Sequence, residues 1–390
     1  MPVQSNVNTT LAFKAETTLG TPAGASGATY LRRVSSSLAV NKDVFASNEV
    51  RTDMQVSDVR HGGRSVRGTI EGELSGTWAA GVSVAPADFA TGVTIANSGT
   101  GSTLTFAGAG NLITKGIKVG DIVRGAGFTN PANSGINVRV TALTATVMTV
   151  FPQLVATGQQ ASGWSVAVQG NKLTMGTTKR SFTVEMAHPD ISISERFVGC
   201  RIGGMSVNMP PNGIATCSFD VMGIDGATMT GGSYPYFTSP TAAGNTGVLS
   251  GIDGALRLNG TEQAVVTAVQ LNYTNNLSMT PVIGSVISPD IFYGREVVTG
   301  TVSAYLENEQ LINVFLNETE VDLVVVAEEA GTTNVGFLAF NMQRIKLTGA
   351  QKTVGPDGGV IAQFPFQALL RSGGTGTVYD QSTLTIQRSN

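Results

Sequence analysis

Charge is scarce in this chain of 390 residues: Asp, Glu, Lys and Arg together make up 13%. Acidic and basic residues nearly cancel, 27 against 24, for a net charge of −3. No cluster of Lys and Arg interleaved with aromatics appears, which argues against a nucleic-acid-binding surface. The densest basic stretch, Arg51 to Arg67, is diluted by Asp53 and Asp58. No apolar run approaches the ~18 residues of a membrane helix. The first residues, MPVQSNVNTTLAFKAETTLG, lack a basic segment followed by an apolar core, so they do not read as a signal peptide, and synthesis in the cytoplasm is expected.

The residues that chemistry needs are equally thin. There are two histidines, His61 and His188, each in a polar loop, and two cysteines, Cys200 and Cys217. That is no zinc spacing. The cysteines flank a hairpin expected to turn at Pro210-Pro211-Asn212-Gly213, where Cys217 would face residue 206 rather than 200, so core thiols are expected and not a disulfide. GTGSTLTFAGAG (99–110) is rich in glycine but has no Gly-Lys-Ser/Thr and no following helix, so it is no phosphate loop. Glu328 and Glu329 are adjacent on an expected strand and point to opposite faces, which prevents them from converging as an acid–base pair. No catalytic, cofactor-binding or metal-binding residue is expected, and no enzymatic activity.

What the chain has in quantity is glycine, 48 residues, among many short Val, Thr and Ser runs. Such a composition predicts an all-β protein. SDVRHGGRSVRGTIEGEL (57–74) and PDIFYGREVVTGTVSAYL (289–306) align without a gap at an offset of 232. Asp58/Asp290, Gly62/Gly294, Val66/Val298, Gly68/Gly300, Thr69/Thr301 and Leu74/Leu306 are identical. Both alternate with a period of two, so one face of each strand packs and the other is polar. A second pair, IATCSFDVMG (214–223) and IAQFPFQALL (361–370), matches Ile214/Ile361, Ala215/Ala362 and Phe219/Phe366. Pro365 in the later segment predicts an edge or a bulge.

The spacing of these pairs implies an insertion. Thr69 and Phe219 lie 150 residues apart, Thr301 and Phe366 only 65, so the first copy should carry about 85 residues that the second lacks. A charge-poor segment of that size, 92–176, reads as a small inserted β-domain. The expected organisation is a first β-sandwich or barrel unit from 1–91 and 177–225, the insert 92–176, a Gly/Ser/Thr/Pro-rich linker 226–250, and a second unit 251–390. One helix is expected in NEQLINVFLNE (308–318), with Leu311, Ile312, Phe315 and Leu316 on its packing face. In the first copy Gly76, Gly81 and Pro86 break any such helix.

The ordered set ETTLGTPAG (16–24), ATYLRRVSSSLAVNKD (28–43), SNEVRTDMQVSDVRHGGRSVRGTIEGEL (47–74), the PPNG hairpin, VTGTVSAYLENEQLINVFLNETEVDL (298–323) and a closing IQR (386–388) resembles the tail tube, or major tail, proteins of long-tailed, non-contractile phages. The resemblance covers most of the chain outside 92–176. It implies packed β-sheets with a flanking helix, subunits that close into rings, rings that stack into a tube, and DNA passing through without specific binding. It also implies a virion tail location, with tape-measure and tail-tip or terminator proteins as partners and no cofactor. Two units in one chain suggest three chains in a pseudo-six-fold ring. Thr69, Glu71, Glu73, Thr301 and Ser303, on the polar faces of the duplicated strand, are the candidate lumen-facing residues. The insert would then sit outside, where it could meet the host surface or stiffen the tube. A β-rich binding or adhesin module, or another tail component such as a terminator, is the alternative that the same composition allows.

Overall fold

Alternating polar and apolar side chains become strands almost wherever they occur in this chain. The computed structural model describes residues 3–74, 82–83, 92–107, 112–160, 163–244, 247–258, 261–262, 266–307, 309–331, 333–354, 358–372 and 378–389. It is all-β with one short helix, as the sequence predicts. The frame of the first half uses β1 (Thr10–Ala15), β2 (Ser35–Ser36), β3 (Ala39–Ala46), β4 (Val59–Glu73), β5 (Asn171–Thr174), β6 (Phe182–His188), β7 (Ile193–Met209), β8 (Thr216–Gly223) and β9 (Asp225–Thr230). The second half uses β10 (Ser250–Leu258), β11 (Val266–Thr274), β12 (Val297–Tyr305), α1 (Gln310–Leu316), β13 (Val321–Glu328), β14 (Phe337–Leu347), β15 (Gln351–Thr353), β16 (Ile361–Ala368) and β17 (Thr385–Arg388).

One antiparallel sheet runs through both halves. Its order is β2 with β3, then β4, β8, the second half of β7, β11, β12, β16, and the end of β14 with β15. Two further ladders lie over it: β9, the first half of β7, β6 and β1 over one half, and β17, the first half of β14, β13 and β10 over the other. β7 and β14 each belong to both layers, passing from one into the other. Between the layers lie the cores. Leu11, Val184 and Phe197 of the outer ladder meet Val66, Ile70 and Val221 of the inner sheet. Leu323, Val325 and Phe340 meet Val298, Val302, Phe364 and Phe366. Burying such side chains contributes about 1.5–3 kcal/mol each.

The two halves repeat pair by pair. Thr69 opposite Asp220 and Ile70 opposite Phe219 become Thr301 opposite Pro365 and Val302 opposite Phe364. Arg201 opposite Met222 and Ser206 opposite Ser218 become Lys346 opposite Gln367 and Gln351 opposite Gln363. Even the irregularities recur: the shift between Phe182 and Val184 on β6 reappears between Val321 and Leu323 on β13. β1, β2 with β3, and β9 correspond in the same way to β10, β11 and β17.

The register corrects several sequence-based expectations. The strand repeat keeps its offset of 232, but the hairpin repeats at 145, placing Phe219 at the position of Phe364 and not of Phe366. The surplus between them is therefore 87 residues and not about 85. Pro365 is not at an edge, since β16 has neighbours on both sides. It does sit at an irregularity, because the strand beside it breaks between β14 and β15, with the Thr348 amide donating to the Pro365 carbonyl at 2.7 Å. The helix packs through Leu311, Ile312, Val314 and Phe315, while Leu316 is exposed. Gly226–Thr230, at the start of the expected linker, form β9 beside β7. Gly76, Gly81 and Pro86 lie outside the described residues. Cys217 faces Val207, one residue from the expected 206, and both cysteines are buried and free.

Seven strands between Val93 and Val168 form a separate sheet. It has its own core of Val93, Leu104, Phe106, Val140, Val150 and Trp164 among others. Although it leaves the chain within the first half, it rests on the second. Ile122 is buried among Val324, Val326, Phe337 and Ala339, on the far side of β13 and β14 from the main core. Both faces of β13 are thus covered, which is why LVVVA (323–327) is a continuous apolar run with no alternation. β5 then pairs with β17. Lys172 on β5 holds the carboxylates of Asp121 and Asp380, each at 2.7 Å. Gln387 on β17 accepts from the Ile122 amide at 2.8 Å and donates back to the Ile122 carbonyl at 2.9 Å.

Candidate functional site

The inner sheet turns one face to its core, and the opposite face is mostly polar, with Met222 and Pro365 among the exceptions. Glu71, Ser218, Ser206, Asn272, Thr299 and Gln367 are successive neighbours in one row. Glu73, Thr216, Asn208, Gln270, Thr301 and Pro365 make the next. Thr69 stands opposite Asp220, and Ser303 opposite Gln363. The five residues singled out in the sequence therefore share one face of one sheet. Sequence reasoning missed their neighbours Ser206, Asn208, Asp220, Gln270 and Asn272. The signal was present as alternation in residues 204–208, 216–222 and 268–274, where Val207, Cys217, Val221, Val269 and Leu271 are buried between them.

Local bonds order the acidic end of this face. The Ser35 hydroxyl donates to Glu71 Oε2 at 2.8 Å, and the Thr69 amide donates to Ser37 Oγ at 2.8 Å. The repeated glycine at this level has a steric cause. A Cβ on Gly68 would stand 2.5 Å from the Ser37 carbonyl oxygen, and one on Gly300 would stand 2.3 Å from that of Gln270. In both halves the adjacent strand crosses closely over the duplicated one, and only glycine admits it. The face carries no concentration of basic charge. The first half contributes Glu71, Glu73 and Asp220 against Arg67 and the buried Arg201, whose counterpart in the second half is Lys346. At the positions of the other four the second has Ser303, Tyr305, Pro365 and Thr299.

The sheet ends in two bare edges. Among the described residues the only ladder partner of β2 and β3 is β4, and all eight residues of β3 are exposed. At the other end, again among the described residues, β15 pairs only with β16, and Val354 just beyond it is 75% exposed. Such edges are rows of unsatisfied backbone donors and acceptors that another strand can complete. His61 and the Glu328–Glu329 pair stand apart from this face. His61 lies at the exposed start of β4, and Glu328 accepts a bond from Asn137 of the seven-stranded sheet at 3.1 Å.

A broad polar face, a packed two-layer frame and open edges are the architecture of a part made to be joined to others. A family model of phage tail tube proteins matches residues 6–368, and the chain belongs to that family. It is a structural protein of the phage tail. No curated protein sequence matches the chain.

Proposed function

We propose that this member of the phage tail tube family assembles three chains to a ring, that the rings stack into a tube, and that genomic DNA passes through the bore at ejection. The observation that carries the reading is the eight-strand antiparallel sheet, whose two four-strand halves repeat in register and whose outer edges are free. Three such sheets joined edge to edge make a closed barrel of 24 strands. At about 4.8 Å between strands, its diameter is roughly 37 Å backbone to backbone before any tilt widens it. That leaves room for a duplex. On this reading 1–91 with 177–225 and 251–390 are two tube units, and 92–176 is an inserted domain.

The polar face, including Thr69, Glu71, Glu73, Thr301 and Ser303, then lines the bore. A conduit must not hold what it conducts. Basic side chains would trap DNA through counterion release, whereas hydroxyls, amides and carboxylates do not. Repulsion from Glu71, Glu73 and Asp220 reaches about 8 Å at physiological salt. The seven-stranded sheet rests on the outer layer, the full thickness of the sandwich away from this face, so it lies on the tube's exterior, free to meet neighbouring rings or the host surface. A tape-measure protein would occupy the bore before DNA, with tail-tip and terminator proteins at the ends.

Electron microscopy of the purified protein tests this directly. End-on views should show stacked rings with three-fold symmetry and six similar lobes. Rings of six chains would leave the conduit standing and remove the three-chain ring.

A further inference from the structure

The ring reading joins the sheets by their free edges but does not give the register in which the edge strands meet. The molecule contains a seam of the required kind. Where the two halves join, β7 pairs with β11: Gly204 faces Thr274, Ser206 faces Asn272, and Asn208 faces Gln270. On β7 the repeat offset is 145, and on β11 the corresponding strands are β2 and β3 at an offset of 233. Carried by these offsets, the seam lands on the two bare edges of the sheet. We infer that the end of β14 with β15 in one chain pairs antiparallel with β2 and β3 of a second copy, Gln351 facing Ala39 and Gly349 facing Asn41. The inference rests on the ring reading and specifies its contact.

Backbone geometry agrees with this. The Ser37 amide donates to the Thr69 carbonyl at 2.9 Å, so Ser37 and, by alternation, Ala39 and Asn41 turn their backbone groups toward β4. Leu38 and Val40 turn theirs outward to the bare edge. Gln270, the counterpart of Ser37, faces Thr301 across β12 in the same register, which leaves Leu271 to bond across the internal seam at Val207. The contact is head-to-tail, joining unlike edges, and closes only as a ring. Lys352 on β15 is the sort of charge that guards an edge from indiscriminate pairing before the correct partner arrives.

The pair Ala39 and Gln351 is of the non-hydrogen-bonded type, with Cα atoms about 4.5 Å apart, a spacing a disulfide can bridge. The test is cysteine crosslinking in assembled protein, with rings scored by microscopy. The native thiols are buried and do not compete. A39C/Q351C should give covalent species ending at trimer on a denaturing gel. A39C/G349C, slipped by two residues, should give none. S206C/N272C, the same pair at the internal seam, should close within each monomer. Intact rings without A39C/Q351C bands, while S206C/N272C closes, overturn the register and leave the ring reading in place. Bands that run to hexamer keep the pairing and overturn the three-chain ring. A chain that stays monomeric at every concentration, with S206C/N272C closed and no inter-chain band, overturns the ring reading and the pairing with it.

Discussion

Over the first half of the chain, the far side of the outer layer is sealed by a short segment. The Tyr236 and Phe237 amides donate to the buried Glu185 carboxylate at 2.6 and 2.8 Å, and Phe237 packs on Ala12 and Ala28. Over the second half the position of Glu185 is held by Val324, and a whole seven-stranded sheet does the sealing. On the opposite side, one half offers three carboxylates where the other offers none. Beneath these differences the ladders coincide over the lengths they share, including the bulges on β6 and β13 and on β7 and β14–β15. Side chains have been free to diverge wherever only packing or charge was at stake. Backbone register has not, as expected if the register is what lets the two halves stand in equivalent places around a ring.

The comparison can be broken most severely at the bare edge of the first half. Val40→Pro removes an outward amide without touching the bonds to β4, and its counterpart Tyr273 already bonds within the chain. Ring formation should be lost while far-UV circular dichroism keeps its β signature. Rings that survive would show that the halves are not used equivalently.

Next in size is the difference between the cores. Phe366 and Val221 hold corresponding positions and are both buried, at 2% and 5% exposure. Phe366→Ala should cost about 3–5 kcal/mol and Val221→Ala about 1–2 kcal/mol, read from urea midpoints. A smaller effect is expected from the polar face. Glu71→Lys with Glu73→Lys should slow DNA ejection several-fold at low salt and converge with the wild type as salt screens the charge. Ser303→Lys alone should do less. An unchanged low-salt rate for the double variant would remove that face from the bore.

A further contrast concerns the sheet that only one half carries. Burial pushes the Asp121 carboxyl up to about 6, against the pull of Lys172. The folded state thus keeps this proton to higher pH than the unfolded chain does. Its contribution to stability is full below about pH 4 and is lost as pH rises through about 6. Asp121→Asn should flatten that part of the stability–pH curve, and a curve that keeps its slope would assign the titration elsewhere.

Much of the frame was legible in the sequence, and the limits have physical causes. The strand pair β4 and β12 could be aligned because close crossing by a neighbouring strand demands glycine at Gly68 and Gly300, and the core demands Val66 and Val298. The hairpin was aligned two residues out because a strand's period is two. A slip of two keeps every side chain on its proper face, and Phe366 imitates Phe364. The helix face took in Leu316 where Val314 packs, because helical spacing alone does not say which flank of a one-sided helix meets the core. Of the polar face, the five residues on the duplicated strand were found. Those on β7, β8 and β11 were not, since their row exists only through cross-strand pairing. The correspondence of β1, β6 and β9 with β10, β13 and β17 left little trace, because backbone ladders tolerate almost any side chain that fits the pleat.

The pairing of β5 with β17 has a mechanical consequence. A strand that follows the seven-stranded sheet, belonging by sequence to the first half, is bonded to the last strand of the second, and Lys172 and Gln387 fasten the same crossing. The halves are therefore tied by more than the covalent segment from β9 to β10: the seam of β7 and β11, this outer strap, and bonds such as Arg201 to Asp290 at 2.9 Å join them as well. Tension along a tail, or a protease nick in the connecting segment, would be shared among them, and severing one would leave the chain behaving as a single body.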